Sequence, residues 1–105
     1  MYFPTILLTL LALFTTSIHG CAHYLNCKCH DSKDNLQNDW VTEQACDKYK
    51  TDHGSKQLKY KGAPHHQCVG NPIDDGTRSM DNCEWDKACK SYGTQYYQWC
   101  WEKLW

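Results

Sequence analysis

Eight cysteines constrain this chain more than any other feature. They run from Cys21 to Cys100 in the spacing C-x5-C-x-C-x16-C-x21-C-x14-C-x5-C-x10-C, with none earlier. Such a set either holds a metal or closes into bridges, and the compartment decides which. Thiols are kept reduced inside most cells, whereas the secretory route oxidises them.

The N-terminus points to the secretory route. In MYFPTILLTLLALFTTSIHG an apolar run, Ile6 to Phe14, is too short to span a bilayer and gives way to small and polar residues up to Gly20. We therefore expect a signal peptide over residues 1–20 and a secreted, extracellular domain over residues 21–105. A cut after Ala22 would strand an odd number of cysteines. A lipoprotein reading of the Ile18 to Cys21 stretch fails on the bulky His19 and the uncharged start. A core-helix reading fails because Ile6 to Phe14 has almost no polar face. No second apolar run follows that could anchor the chain.

With the leader removed, one small domain carries every cysteine, which is the composition of a disulfide scaffold. The nonaromatic core candidates are few: Leu25, Leu36, Val41, Leu58, Val69, Ile73, Met80 and Leu104. Every aromatic beyond the leader is Tyr or Trp and brings a polar group that needs a partner or water. Four bridges at about 2 to 4 kcal/mol each match the whole net stability of an ordinary domain. We expect Cys21, Cys27, Cys29, Cys46, Cys68, Cys83, Cys89 and Cys100 all to be bridged.

The stretch Cys27-Lys28-Cys29-His30, with His65-His66-Gln67-Cys68, could in principle supply four metal ligands. The spacing contains no C-x2-C knuckle and no second half of a zinc ribbon. We expect bridged cysteines, surface histidines, and neither metal nor cofactor. Cys27 and Cys29 point the same way on a strand, so each should reach a different partner. Six residues of helix separate Cys83 from Cys89 by about 9 Å of rise and most of a half-turn, so they should not pair either. The remaining connectivities stay open.

The pattern along the chain reads as an α+β fold, with two short helices and a small antiparallel sheet. Ala22 to Cys29 reads as a strand followed by a polar loop from Asp31. Asn38 or Asp39 can cap a helix through about Lys50, with Val41, Ala45 and Tyr49 on one face, Cys46 beside them, and Gly54 as the left-handed stop. Gln57 to Lys61 and His65 to Val69 read as short strands about the Gly62-Ala63-Pro64 turn, and residues 70–76 as a loop. Asp81-Asn82-Cys83-Glu84 has the spacing of a capping box, opening a helix through Trp85, Ala88, Cys89 and Tyr92 that Gly93 should end. Thr94 to Trp101 reads as a final strand. No Asn-x-Ser/Thr sequon occurs after the leader.

Tyr24-x2-Cys27-x-Cys29, then Asp39 and Thr42 ahead of Cys46, a long polar gap to Cys68, and Ile73-Asp74 with a glycine ahead of Cys83 together carry a resemblance. Over nearly the whole mature chain the arrangement resembles small cysteine-rich secreted proteins of filamentous fungi, many of them candidate effectors. The eight-cysteine count and the aromatic tail depart from that pattern. The resemblance implies virulence-related release into host tissue or the surroundings and action by binding. It points to no catalytic residue.

A small secreted ribonuclease would need a His/Glu or His/His pair and a cation near phosphate. His23, His30, His53, His65 and His66 with Glu43, Glu84 and Glu102 offer the residue types, but no spacing singles out a pair, so we expect no enzyme. Lys and Arg number 11 against 12 Asp and Glu, for a net charge of −1, and are scattered, which disfavours nucleic acid as a partner. Lys56, Lys59 and Lys61 form the densest basic run and read as a solvated strand face. Few cations and no amphipathic basic helix disfavour a membrane-active toxin.

The tail from Tyr96 to Trp105 is the most informative segment. On a strand Tyr97, Trp99 and Trp101 share one face, and Tyr96, Gln98 and Cys100 the other. The three rings are either the core of a core-poor protein or an exposed row suited to sugar rings or protein interfaces. The sequence thus predicts a secreted monomer that binds a host or extracellular protein or glycan, with Tyr97, Trp99 and Trp101 as candidate binding face. A sugar-binding or antimicrobial protein is the alternative to the effector reading, beside the small ribonuclease.

Overall fold

A computed structural model of the chain describes residues 20–55, 57–71 and 79–105. The leader ahead of Gly20, Lys56, and the Ile73-Asp74 pair with its following glycine lie outside the described residues.

Strand β1, His23–Asp31, is the axis of the molecule. Its length lets several partners pair with it at once. Along one edge runs the antiparallel β6, Tyr96–Lys103, from Tyr24↔Lys103 to Asp31↔Tyr96. The other edge is divided among β5 (Met80–Asp81), β4 (Gln67–Val69) and β2 (Leu36–Gln37), each antiparallel and each opposite a different pair of β1 residues. Strand β3, Lys59–Lys61, then pairs with β4. The result is a six-stranded antiparallel sheet with two helices, an α+β disulfide-rich fold.

Helix α1, Asp39–His53, starts where its cap is. The side chain of Asn38 accepts from the Val41 amide at 2.9 Å, and Gly54 closes the far end at φ 62°, a backbone geometry that favours glycine. Val41, Thr42, Ala45, Cys46 and Tyr49 form its buried face. The helix start also completes β1 between β2 and β4. The Cys29 amide donates to Thr42 Oγ1 at 2.9 Å, and the Cys29 carbonyl accepts from the Asn38 amide at 2.9 Å. Two groups that no strand reaches are thereby satisfied.

Helix α2, Asn82–Lys90, begins at Asp81, whose carboxylate accepts from the Cys83 and Glu84 amides. Only half of the expected capping box forms. The Asp81 amide donates to Tyr49 Oη, and Glu84 turns to Lys87 instead. The helix also ends earlier than expected. Its last turn tightens, with the Tyr92 amide donating to Cys89 and the Gly93 amide to Lys90, so Gly93 lies in the turn beyond the helix. A side chain at Gly93, φ 153°, would press on Gln95 and Tyr96.

All eight cysteines are bridged: Cys21–Cys83, Cys27–Cys100, Cys29–Cys89 and Cys46–Cys68. Cys27 and Cys29 do part ways, one to β6 and the other to α2, and Cys83 and Cys89 do not pair. Cys27 and Cys100 face each other in register with Cα atoms 4.0 Å apart, the close kind of antiparallel pair. Three bridges close loops of 60 to 73 residues, where cross-linking removes most freedom from the unfolded chain. Four such bridges are the mark of a protein made for an oxidising environment.

The core lies between the inner sheet face and the helices. It holds Cys27, Cys29, Val41, Ala45, Cys46, Tyr49, Leu58, Cys68, Met80, Trp85, Ala88 and Cys89. Trp85 is fully buried, and its indole N–H donates to the Lys28 carbonyl at 3.0 Å, which removes the cost of burying that group. Leu36 is not core: in the two-residue β2 it is 64% exposed. Among the described residues, no helix is long and apolar enough to cross a membrane.

The free edge of β6 is not left open. Asp86 of α2 accepts from the Gln98 amide at 2.9 Å, and Lys90, four residues on and ion-paired with Asp86 at 2.9 Å, donates to the Tyr96 carbonyl at 3.1 Å. One helix turn therefore occupies backbone groups that could otherwise pair with another strand.

Candidate functional site: the outer face of the sheet

Alternation along the middle of β1 sends Cys27 and Cys29 inward and Asn26, Lys28 and His30 to the other face, while Tyr24 nearer its start packs against the core. The same alternation on β6 sends Cys100 inward and Tyr97, Trp99 and Trp101 outward, opposite His30, Lys28 and Asn26 respectively. The three candidate residues are thus brought together on one face, away from the buried Trp85. Trp99 is 53% exposed, and Tyr97 and Trp101 are half-buried.

Both tryptophans contact the β1 residue diagonal to them. The Trp99 ring stacks on the His30 imidazole, with centroids 4.6 Å apart and 18° between planes. The ammonium of Lys28 lies over the Trp101 ring, 5.3 Å from its centroid. Tyr97 tilts against His30 at 5.7 Å, and His65 approaches Trp101 edge-on at 6.3 Å. Each indole therefore has at least one protein group against it, which limits ring orientation before any ligand arrives.

Polar groups continue across the sheet. Lys28 donates to Gln37 Oε1, and the Gln37 amide donates to Asp39 Oδ1 at 2.9 Å. Asp39 faces His66 at 3.8 Å, and His66 Nδ1 meets the Tyr60 hydroxyl at 3.1 Å. On the other side Asn26, itself buried, donates to Glu102 Oε1 at 2.8 Å. Glu102 has φ 59°, a left-handed geometry uncommon for a residue with a side chain.

Burial shapes the charges. Lys28 is only 8% exposed, and desolvation lowers its pKa against the opposing pull of Asp39. His30 is also lowered, first by burial and then by the charge on Lys28, which favours a neutral imidazole under Trp99. Burial raises the Tyr60 hydroxyl, with Asp39 and Glu43 adding to it, so the phenol keeps its proton.

Of the catalytic residue types considered from sequence, the structure brings His66 to Asp39 and to none of Glu43, Glu84 or Glu102. Among the described residues this is the one His–carboxylate approach within 4.0 Å. The sulfurs of Cys27, Cys29 and Cys68 are held in bridges, so the four-ligand cluster with His30 and His65 does not form. Lys59 and Lys61 are exposed on β3, as a solvated strand face requires. A groove of about 520 Å³ beside β3 and β4, between Tyr60, Lys61, Val69 and Asn71, contains none of the three aromatic residues.

Sequence reasoning missed Lys28 and His30 as the supports of the aromatic row. Their signal was present: three polar residues alternate with cysteines on β1, as Tyr97, Trp99 and Trp101 flank Gln98 and Cys100 on β6. Comparison with family models, with curated proteins and with solved structures finds no match to the chain.

Proposed function

We propose that this chain is a secreted, disulfide-stapled protein of effector type that acts without catalysis, by binding a host or extracellular target through Tyr97, Trp99 and Trp101. The observation that carries this reading is Trp99: an indole 53% exposed, yet held in one orientation by the His30 stack. Exposed, rigid aromatics are the anchors of recognition surfaces, because little side-chain freedom remains to be lost on binding. The leader and the four bridges support export to the extracellular space, and the resemblance to fungal effector-type proteins supports the role.

The test uses the secreted full-length product. Mature protein and the Trp99→Ala variant are compared for capture of components from host extracellular fluid and cell-wall fractions. The wild type should retain components that the variant loses, while both keep the same disulfide map. Equal capture by both would remove this face from the function. N-terminal sequencing should begin at Cys21.

The ribonuclease-like alternative draws on the cluster of Asp39, His66 and Tyr60. Lys28, linked to Asp39 through Gln37, is held by Gln37 and Trp101, which leaves it poorly placed to meet phosphate. Cleavage of RNA by pure protein, lost on replacing His65 or His66, would favour that alternative.

A further inference from the structure

We propose that the aromatic face binds a neutral, flat polysaccharide chain of the β-1,4-linked type; the inference rests on the binding-face reading above and names its ligand class. Three features select this chemistry. The first is shape. Same-face side chains on a strand repeat at about 7 Å, so Tyr97, Trp99 and Trp101 form a straight row about 14 Å long. Such a row suits an extended chain of flat sugar rings better than a compact ligand in a pocket. The stack on His30 covers one side of the Trp99 indole, and its high exposure places the other toward solvent, where the C–H face of a pyranose can lie on it.

The second feature is charge. Most charged groups beside the rings already have a protein group against them: Lys28 donates to Gln37 and lies over Trp101, Asp39 approaches His66, and Glu102 accepts from Asn26, while Lys103 at the end of the row is exposed. From β1 and β6 a polyanion meets one exposed cation, Lys103 at the end of the row, and along the row only Lys28, which is already engaged. A single-stranded nucleic acid could also stack on the rings but needs cations along its backbone. A neutral sugar chain needs none.

The third feature is an acceptor in want of a donor. Gln67 Oε1 is buried without a hydrogen-bond partner, the single such side-chain atom found among the described residues. The register Cys27↔Cys68 sets Gln67 next to Lys28 on the same face as Trp101. A ligand hydroxyl that reached this oxygen from the Lys28 side would supply the missing donor. A ligand rich in hydroxyl groups answers a need that an apolar protein surface does not.

The experiment is a titration of the mature, fully bridged protein with cellohexaose and with chitohexaose. It is followed by calorimetry and tryptophan fluorescence, with heparin and a single-stranded oligonucleotide as charged comparators. At least one neutral hexamer should bind, more tightly than either charged polymer. Trp99→Ala should weaken it about tenfold or more, as expected for loss of a stacking anchor. Trp40→Ala, which removes another exposed tryptophan elsewhere, should leave binding unchanged.

Matching disulfide maps and near-UV spectra will show that both variants fold. Binding that survives Trp99→Ala, or tighter binding to a charged polymer, overturns the proposal. If neither hexamer binds but a protein is captured in a Trp99-dependent way, the glycan assignment falls and the binding face stands. If nothing is captured in a Trp99-dependent way, both fall.

Discussion

The imidazole of His30 lies 4.6 Å from the indole of Trp99, nearly parallel to it, joining the central strand of the sheet to its most exposed aromatic neighbour. Burial and the nearby Lys28 ammonium hold the His30 pKa below its ordinary value of 6.5. The unfolded chain therefore binds the His30 proton more readily than the folded one. Between the lowered pKa and 6.5, stability rises with pH, and acidification through that window removes it. Urea midpoints measured from pH 7 downward should fall more steeply for the wild type than for His30→Asn, and the difference isolates His30 from the other histidines. Parallel curves would contradict this account.

Trp85 and Trp99 should separate cleanly in denaturation experiments. Trp85→Ala empties a fully buried site and leaves the Lys28 carbonyl without its indole donor, so a loss of about 3 to 5 kcal/mol is expected. Trp99→Ala removes an exposed ring and should cost about 1 kcal/mol or less. Near-equal losses would mean that the outer row is part of the core.

Replacing Asp86 should change assembly as well as stability. The carboxylate holds both the Gln98 amide and the Lys90 ammonium at the free edge of β6. With Asp86→Ala we expect a loss of about 1 to 2 kcal/mol and concentration-dependent self-association. Light scattering coupled to size exclusion would record the second effect. An Asp86→Ala protein that stays monomeric at high concentration would show that the edge is protected by other means.

Peptide mapping without reduction should recover Cys21–Cys83, Cys27–Cys100, Cys29–Cys89 and Cys46–Cys68 and no other pairing. Replacing Cys29 and Cys89 together by alanine should lower stability by about 2 to 5 kcal/mol, since this bridge joins the central strand to α2 through a long loop. Denaturation of the double variant at one pH measures it.

Much of the secondary structure was legible in the amino-acid order because its causes are local. Asn38 caps α1 through an amide three residues away, Asp81 caps α2 the same way, and Gly54 closes α1 from the position just past its last residue. Alternation alone divided β6 into its Cys100 face and its Trp99 face, and strand and helix periodicity ruled out the Cys27–Cys29 and Cys83–Cys89 pairings. Strands β2 and β5 were invisible for the opposite reason. Two residues carry no periodicity, and these pair only because β1 presents a free edge to them.

The amino-acid order by itself determined the bridged scaffold, the helices with their caps, and the alternation that puts three aromatic rings on one side of a strand. Tertiary structure alone decided which sulfurs meet across 60 and 73 residues, that Trp85 rather than the Trp99 face of the tail fills the core, and that Lys28 and His30 support the exposed row. Caps and alternation act over a few residues and are written in the neighbouring side chains. Closing a long loop depends on where every other element packs, and no short stretch of sequence contains that information.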